Sequence, residues 1–129
     1  MASTPLPRPT DGELAILRVL WSKGPSTVRQ VHGVLAAGRE LGYTTVLKLL
    51  QIMTDKGLVV RDERARTHVY EPSSSESQTQ KQLVTDLLDR VFDGSAAKLV
   101  LQALSAGKAT PAELAEIRKL LDKHRGGRT

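Results

Sequence analysis

Residues 42–57, GYTTVLKLLQIMTDKG, carry apolar side chains at helical spacing and have a glycine at each end. The apolar positions on one side of this segment are Val46, Leu49, Leu50 and Met53. They recur at i, i+3, i+4 and i+7, which predicts an amphipathic helix with one face toward a core. Thr44, which is predicted to cap the helix, falls on the opposite side with Lys48 and Gln51. The segment therefore predicts a helix with a polar outer face, and its neighbours indicate what that face is for.

Two shorter helices are predicted ahead of this segment. Thr10 and Glu13 match the capping-box pattern, which predicts a first helix over about residues 11–22. Ser26 is predicted to cap a second helix, and Gly38 is predicted to end it. The sequence therefore places three helices in close succession.

The residue pattern changes from helical to alternating after Gly57. The segments LVVRDE (58–63) and THVYE (67–71) are rich in β-branched and aromatic residues and enclose a short polar stretch. They predict a β-hairpin, which we call the wing, although Ala65 is not one of the residues that tight hairpin turns favour. Three helices followed by a two-stranded hairpin is the order of a winged helix-turn-helix, whose third helix enters the major groove of DNA. The predicted fold class is therefore mainly α.

Pro72 and the run SSSES that follows it predict a joint between two domains, residues 1–72 and residues 73–129. The second domain, which we call the C-terminal arm, is again helical in pattern and contains a second capping box at Thr110 and Glu113. Its apolar residues are too many for about fifty residues to bury alone, so it either packs against the first domain or pairs with a second copy. A helical dimerisation arm is favoured, because two-fold symmetry matches the two half-sites of palindromic DNA. The positions expected in the dimer interface are Leu83, Leu87, Leu88, Val91, Leu99, Val100, Leu104, Leu114, Ile117 and Leu121.

The composition limits the kinds of partner that the chain can have. The net charge is +5 and the pI is about 9.8, which favours an acidic partner such as nucleic acid. One tryptophan, two tyrosines and one phenylalanine are too few for the base-stacking platforms of single-strand binders. Double-stranded DNA is therefore the expected partner.

No enzyme chemistry is predicted. The chain has no cysteine, so no disulfide, zinc-thiolate site or cysteine nucleophile can form. The histidines, His32, His68 and His124, fall on three different predicted elements, and neither a glycine-rich phosphate loop nor a nucleophile elbow is present. We therefore expect no metal and no cofactor. The sequence has no signal-peptide core and no apolar run of membrane-spanning length, so a cytoplasmic protein is expected.

The outer face of the third helix supplies candidates for base contacts. Lys48 can donate to guanine O6 or N7, and Thr44 can hydrogen-bond a base edge or contact a thymine methyl. Gln51, one turn deeper, can reach an adenine. The alternative is ordinary solvation of an amphipathic helix, which would be preferred for this helix taken alone.

The wing supplies candidates for phosphate contacts. Its basic residues are Arg61, Arg64, Arg66 and His68. Arginine on a wing would neutralise phosphates and release counterions. Alternatively, these charges keep an exposed edge soluble, with Asp62 and Glu63 partly cancelling them. Helix and wing together favour DNA binding, and the rival is a protein-interaction module with the same fold, because fold does not fix function.

Three segments carry a resemblance to a known family: TDGELAILRVLW (10–21), YTTVLKLLQIMTDKGLV (43–59) and ARTHVYEP (65–72). Together they resemble the penicillinase repressor family of bacterial transcriptional regulators, and the likeness continues more weakly through LLDRVFDGSAAKLVLQAL (87–104) to the last helix. The resemblance implies a cytoplasmic homodimer with an N-terminal winged helix and a helical dimerisation arm. It also implies repression from a palindromic operator that overlaps a promoter. By position, the family's recognition helix and wing arginine correspond to Thr44, Thr45, Lys48 and Arg66.

Two departures from the family pattern concern induction. Copper-responsive members end in a metal-binding cysteine motif, which this chain lacks. The β-lactam-responsive members are inactivated when a membrane sensor pathway cuts an Asn-Phe bond in the arm, and the matching place here is Gln102-Ala103. The resemblance thus implies a regulatory membrane peptidase as a partner. The peptide bond at the matching position, however, joins Gln102 to Ala103 rather than Asn to Phe. Loosening or severing the arm would turn a bivalent DNA binder into a monovalent one.

Overall fold

The computed structural model describes residues 8–37 and 41–127. Within these ranges the chain forms six helices and one antiparallel hairpin in the order α1-α2-α3-β1-β2-α4-α5-α6. The elements are α1 Asp11–Lys23, α2 Val28–Leu35, α3 Tyr43–Lys56, β1 Val59–Asp62, β2 Val69–Pro72, α4 Glu76–Val91, α5 Ala96–Ser105 and α6 Pro111–Gly127. The predicted fold class is confirmed, with a three-helix and hairpin unit followed by further helices.

The start of α2 differs from the prediction, which placed Ser26 as its cap. Thr27 is the cap instead: its hydroxyl accepts from the Gln30 N–H at 3.2 Å, and the Gln30 side-chain oxygen accepts from the Thr27 N–H at 2.9 Å. The Ser26 backbone is already engaged with β2, where it exchanges hydrogen bonds of 3.0 and 2.8 Å with Tyr70. The prediction that Ser26 caps α2 was wrong. The local sequence gives no sign of the pairing between Ser26 and Tyr70, because the two residues are far apart in the chain. The predicted helix end at Gly38 lies outside the described residues.

The start of α3 also differs from the prediction. The cap residue is Gly42, which makes no side-chain cap hydrogen bond, and Thr44 lies inside the helix rather than ahead of it. At the other end Gly57 adopts the left-handed conformation, with φ of 84°. The Leu58 N–H then donates to the Met53 carbonyl at 2.9 Å, a hydrogen bond typical of a glycine helix stop.

The two predicted capping boxes are confirmed. The Thr10 N–H donates to the Glu13 carboxylate at 2.9 Å, and the Thr10 hydroxyl accepts from the Glu13 N–H at 3.3 Å. Thr110 and Glu113 repeat this arrangement at 3.0 and 3.1 Å. Each box depends only on residues three apart, so the local sequence determines it.

One core holds the three helices and the hairpin together. Each helix contributes one apolar face, and the strands close the core with side chains from both. The core residues are Ala15, Ile16, Leu17, Val19, Leu20, Val28, Val31, Leu35, Val46, Leu50, Met53, Leu58, Val59 and Tyr70. In α3 the buried side chains are Val46, Leu50 and Met53, with Leu49 packed against the core as predicted. The polar side of α3 therefore faces outward.

The chain divides into two compact units, Met1–Leu83 and Val84–Thr129, and the division falls inside α4. Ser75 caps α4 by accepting from the Gln78 N–H at 3.1 Å, so the serine run leads directly into a helix. The predicted domain boundary after Pro72 stays a prediction. Within residues 8–37 and 41–127, no helix combines the length and apolar character needed to cross a membrane.

Candidate nucleic-acid interface

The outer face of α3 carries the residues predicted to contact bases. Thr44, Thr45, Lys48 and Gln51 are all exposed. The burial of Val46, Leu50 and Met53 fixes the rotation of the helix about its axis, because these three side chains have no exposed surface. Ile52 shares the outer surface with an exposed fraction of 37% and was not among the predicted residues. The face offers hydrogen-bond donors and acceptors together with one apolar side chain.

Two of the three wing arginines are held by carboxylates next to them in sequence. Arg61 Nε lies 2.7 Å from a Glu63 oxygen, and Arg64 makes a two-pronged ion pair with Asp62, with Nη2 at 2.7 Å and Nε at 3.0 Å. The hydrogen bonds from Arg64 lower the pKa of Asp62 from 3.8 to about 2. The positive charges of Arg61 and Arg64 are therefore largely neutralised within the wing.

The same ion pair shapes the wing turn. Asp62 accepts a hydrogen bond from the Arg64 backbone N–H at 3.0 Å, which is the local arrangement of an Asx turn. None of the residues between the two strands, all of which the structure describes, has a positive φ. The turn therefore has no need of glycine, which explains why Ala65 is accommodated there.

Arg66 lies in a different environment from the other two wing arginines. It lines a cleft of about 270 Å³ to which α2, the first turns of α3 and the wing all contribute. We call this the wing cleft, and its lining residues are Thr27, Val28, Arg29, Tyr43, Leu47, Arg66, Thr67, His68 and Tyr70. Among the residues that the structure describes, the lining contains two arginines and a histidine but no carboxylate. Sequence reasoning missed Arg29, because on α2 it reads as an ordinary exposed helix residue and only the tertiary fold brings it to the wing.

Two contacts hold the ends of α3 in place. The His32 ring on α2 packs edge-to-face on Tyr43 at the start of α3, with centroids 5.8 Å apart and planes 81° apart. At the other end, Lys56 Nζ lies 3.0 and 2.9 Å from the two carboxylate oxygens of Glu13 on α1. The Glu13 side chain is only 1% exposed, so this is a buried anchor rather than a surface ion pair. The outer face of α3 is thereby supported from both ends.

The second unit exposes apolar side chains. No residue of α4 or α5 is buried, and none is buried along residues 111–124 of α6. Of the residues predicted to form a dimer interface, the exposed ones are Leu87, Val91, Val100, Leu104, Leu114 and Leu121, and the half-buried ones are Leu83, Leu88, Leu99 and Ile117. Leu101, exposed to 63%, and Leu120, exposed to 58%, were not among the predicted residues.

The core, the hairpin and the exposed polar helix define a winged-helix protein. Comparison with known proteins gives the family: the model described as penicillinase repressor matches residues 9–123. This chain therefore belongs to the penicillinase repressor family. Its members are transcriptional repressors rather than enzymes, and the same role applies here.

Individual relatives agree with this assignment. The chain is 38% identical over 97 residues to "Transcriptional regulator BlaI" of Mycobacterium tuberculosis, in both strain CDC 1551 / Oshkosh and strain H37Rv. That match covers 74% of this chain and 70% of the relative. The present chain is also 23% identical over 120 residues to "Penicillinase repressor" of Bacillus licheniformis, and that match covers 93% of this chain and 94% of the relative.

Proposed function

We propose that this chain represses transcription as a homodimer that binds a palindromic operator in double-stranded DNA in the cytoplasm. The observation that carries the proposal is the exposed polar face at the start of α3, supported by packing at both ends of the helix. Membership of a repressor family supports the same function.

Base contacts are assigned to α3. In this proposal Lys48 donates to guanine O6 or N7, Thr44 and Thr45 contact base edges or thymine methyls, and Gln51 reaches an adenine. Arg66 contacts the phosphate backbone from the wing. Arg61 and Arg64 were predicted to do the same, and their charges are already partly balanced by Glu63 and Asp62.

Dimerisation is assigned to the apolar side chains of the second unit. Burying one leucine side chain fully contributes about 1.5–3 kcal/mol, so the exposed leucines of α5 and α6 supply ample driving force for association. A two-fold dimer would present two copies of α3 to two half-sites.

In this proposal the repressor leaves its operator when the dimer is lost. Each half-site contact alone is weak, and cutting or loosening the arm removes the effective concentration that links them, which lowers operator affinity by about 100-fold or more. A regulatory membrane peptidase is the proposed agent. Gln102 and Ala103, which stand at the position where β-lactam-responsive members are cut, are both exposed on α5.

Footprinting on DNA upstream of the neighbouring genes tests the proposal. We expect a protected site with two-fold symmetry, and Lys48→Ala should lower affinity for that site by about 1–3 kcal/mol more than for mixed-sequence DNA. Lys108→Ala, a lysine in the loop before α6, is the matched control and should change neither affinity. Leu121→Asp should convert the dimer to a monomer in sedimentation velocity. Absence of any protected site, with no salt-dependent duplex binding, would instead support the protein-interaction module.

A further inference from the structure

The arginines of the first unit differ in whether they already form an ion pair with a carboxylate. Arg61 in β1 and Arg64 in the loop that follows it each hold a carboxylate at 2.7 Å. In the part of the chain that the structure describes, the side chains of Arg29 and Arg66 have neither an ion pair nor a hydrogen bond. Among the wing arginines, the unpaired one is therefore Arg66, which lines the wing cleft together with Arg29.

The wing cleft gathers these available cations. Arg29 comes from α2 and Arg66 from the wing, and His68 and Thr67 add further polar groups to the same wall. Like charges brought together without a carboxylate repel one another, and an anion between them would relieve that repulsion. Guanidinium groups bind phosphate oxygens with paired N–H donors, so the chemistry of the cleft matches a phosphate.

We propose that the unpaired arginines of the wing cleft, Arg29 and Arg66, hold a phosphate of the DNA backbone between them, in preference to the paired Arg61 and Arg64. The inference rests on the proposed DNA-binding function and deepens it by naming the phosphate contact. Because Tyr43 of α3 also lines the cleft, a phosphate held there would fix the DNA strand beside the first turn of the recognition helix. Arg29 then acts as a positioning residue, setting which bases lie opposite Thr44 and Lys48.

The salt dependence of binding tests this proposal directly. The probe is a mixed-sequence duplex long enough for two half-sites about 10 base pairs apart, since phosphate contacts operate without a specific sequence. Each phosphate contact contributes about −0.9 to the slope of log K against log salt concentration. Arg29→Ala and Arg66→Ala should each reduce the slope by up to about 0.9 per protomer. The double variant should lose about 0.9 in total rather than twice that, because both side chains hold the same phosphate.

Arg64→Ala is the matched control, because it removes an arginine of the same wing that is already paired with Asp62. It should leave the slope within error of the wild type. Arg29→Lys should keep most of the slope, since the slope counts charge rather than geometry. A loss for Arg64→Ala equal to that for Arg29→Ala would overturn the proposal, and so would an unchanged slope in Arg29→Ala. Circular dichroism of each variant confirms that the fold is intact.

Two further readouts separate the possible failures. If the wild type itself has a slope near zero, the proposed DNA-binding function fails; if the wild type has a steep slope and Arg29→Ala matches it, only the cleft assignment fails. The Arg29 Nε–H resonance should shift on adding the duplex and stay in place when inorganic phosphate replaces chloride at constant ionic strength. An equal shift with inorganic phosphate would make the cleft a site for free anions and overturn its assignment to DNA.

Discussion

Replacing Lys56 by methionine tests how α3 is anchored. The substitution keeps the apolar stem of the side chain and removes only the ammonium group that lies 2.9 and 3.0 Å from the two Glu13 oxygens. Glu13, at 1% exposure, would keep the Thr10 N–H as a partner but would lose its counter-charge. The variant should therefore unfold more easily.

The expected size follows from the burial of the two partners. Leaving a buried charge unpaired costs about 3–5 kcal/mol, and the one-third exposure of Lys56 lets water partly replace the lost ammonium, so we expect about 2 kcal/mol. With a urea m value of about 1.5 kcal/mol per molar, the unfolding midpoint should fall by about 1 M. Glu13→Gln should cost less, because the amide can still accept from Thr10 and the lysine can reach water.

Urea unfolding followed by Trp21 fluorescence measures this change, with duplex binding measured in parallel. Lys48→Met, on the exposed side of the same helix, is the matched control: it should stay within about 0.5 kcal/mol of the wild type while weakening DNA binding. Lys56→Met should lower the free energy of unfolding but should bind DNA as the wild type does at urea concentrations below its unfolding transition. A midpoint for Lys56→Met equal to that of the wild type would refute the reasoning that the pair is a buried anchor.

Three further outcomes are expected. The Asp62 carboxyl carbon should titrate at a pH of about 2 in the wild type and near the ordinary value of 3.8 in Arg64→Ala. Because its folded-state pKa is the lower one, the stability that Asp62 contributes is complete above its unfolded pKa and is lost as the pH falls through about 2; an unshifted wild-type titration would contradict the ion pair. Trp21→Phe removes the 3.0 Å hydrogen bond from the indole N–H to the Ser74 carbonyl and should lower the free energy of unfolding by about 1 kcal/mol, and a urea midpoint that does not change would argue against that bond. A fragment ending at Leu83 should keep its fold by circular dichroism and bind the operator about 100-fold more weakly than the whole chain, and equal affinity would count against bivalent binding.

Features that depend on neighbours in sequence were predicted well. The outward face of α3 follows from the spacing of Val46, Leu50 and Met53, and the capping box at Thr10 follows from a residue three positions later. These signals are local, so one sequence is enough to reveal them.

Features that depend on tertiary contacts were missed or misplaced. Ser26 has a typical helix-cap residue type, but its backbone pairs with Tyr70 in β2. Arg29 has no local signal at all, because only the packing of α2 beside the wing makes it a lining residue of the wing cleft. For Arg64, the nearby carboxylates suggested partial cancellation of charge, but the two-pronged geometry with Asp62 could not be predicted from sequence.

The exposed leucines of the second unit have a consequence for how much of this protein a cell retains. Residues 84–124 include no buried side chain, so a solitary chain has little to hold these helices together and is open to cellular proteases, whereas pairing would shield it. Turnover would then be fastest when copies are scarce and slowest when they are plentiful. Abundance would respond steeply to the rate of synthesis, and a modest drop in expression would clear the remaining repressor.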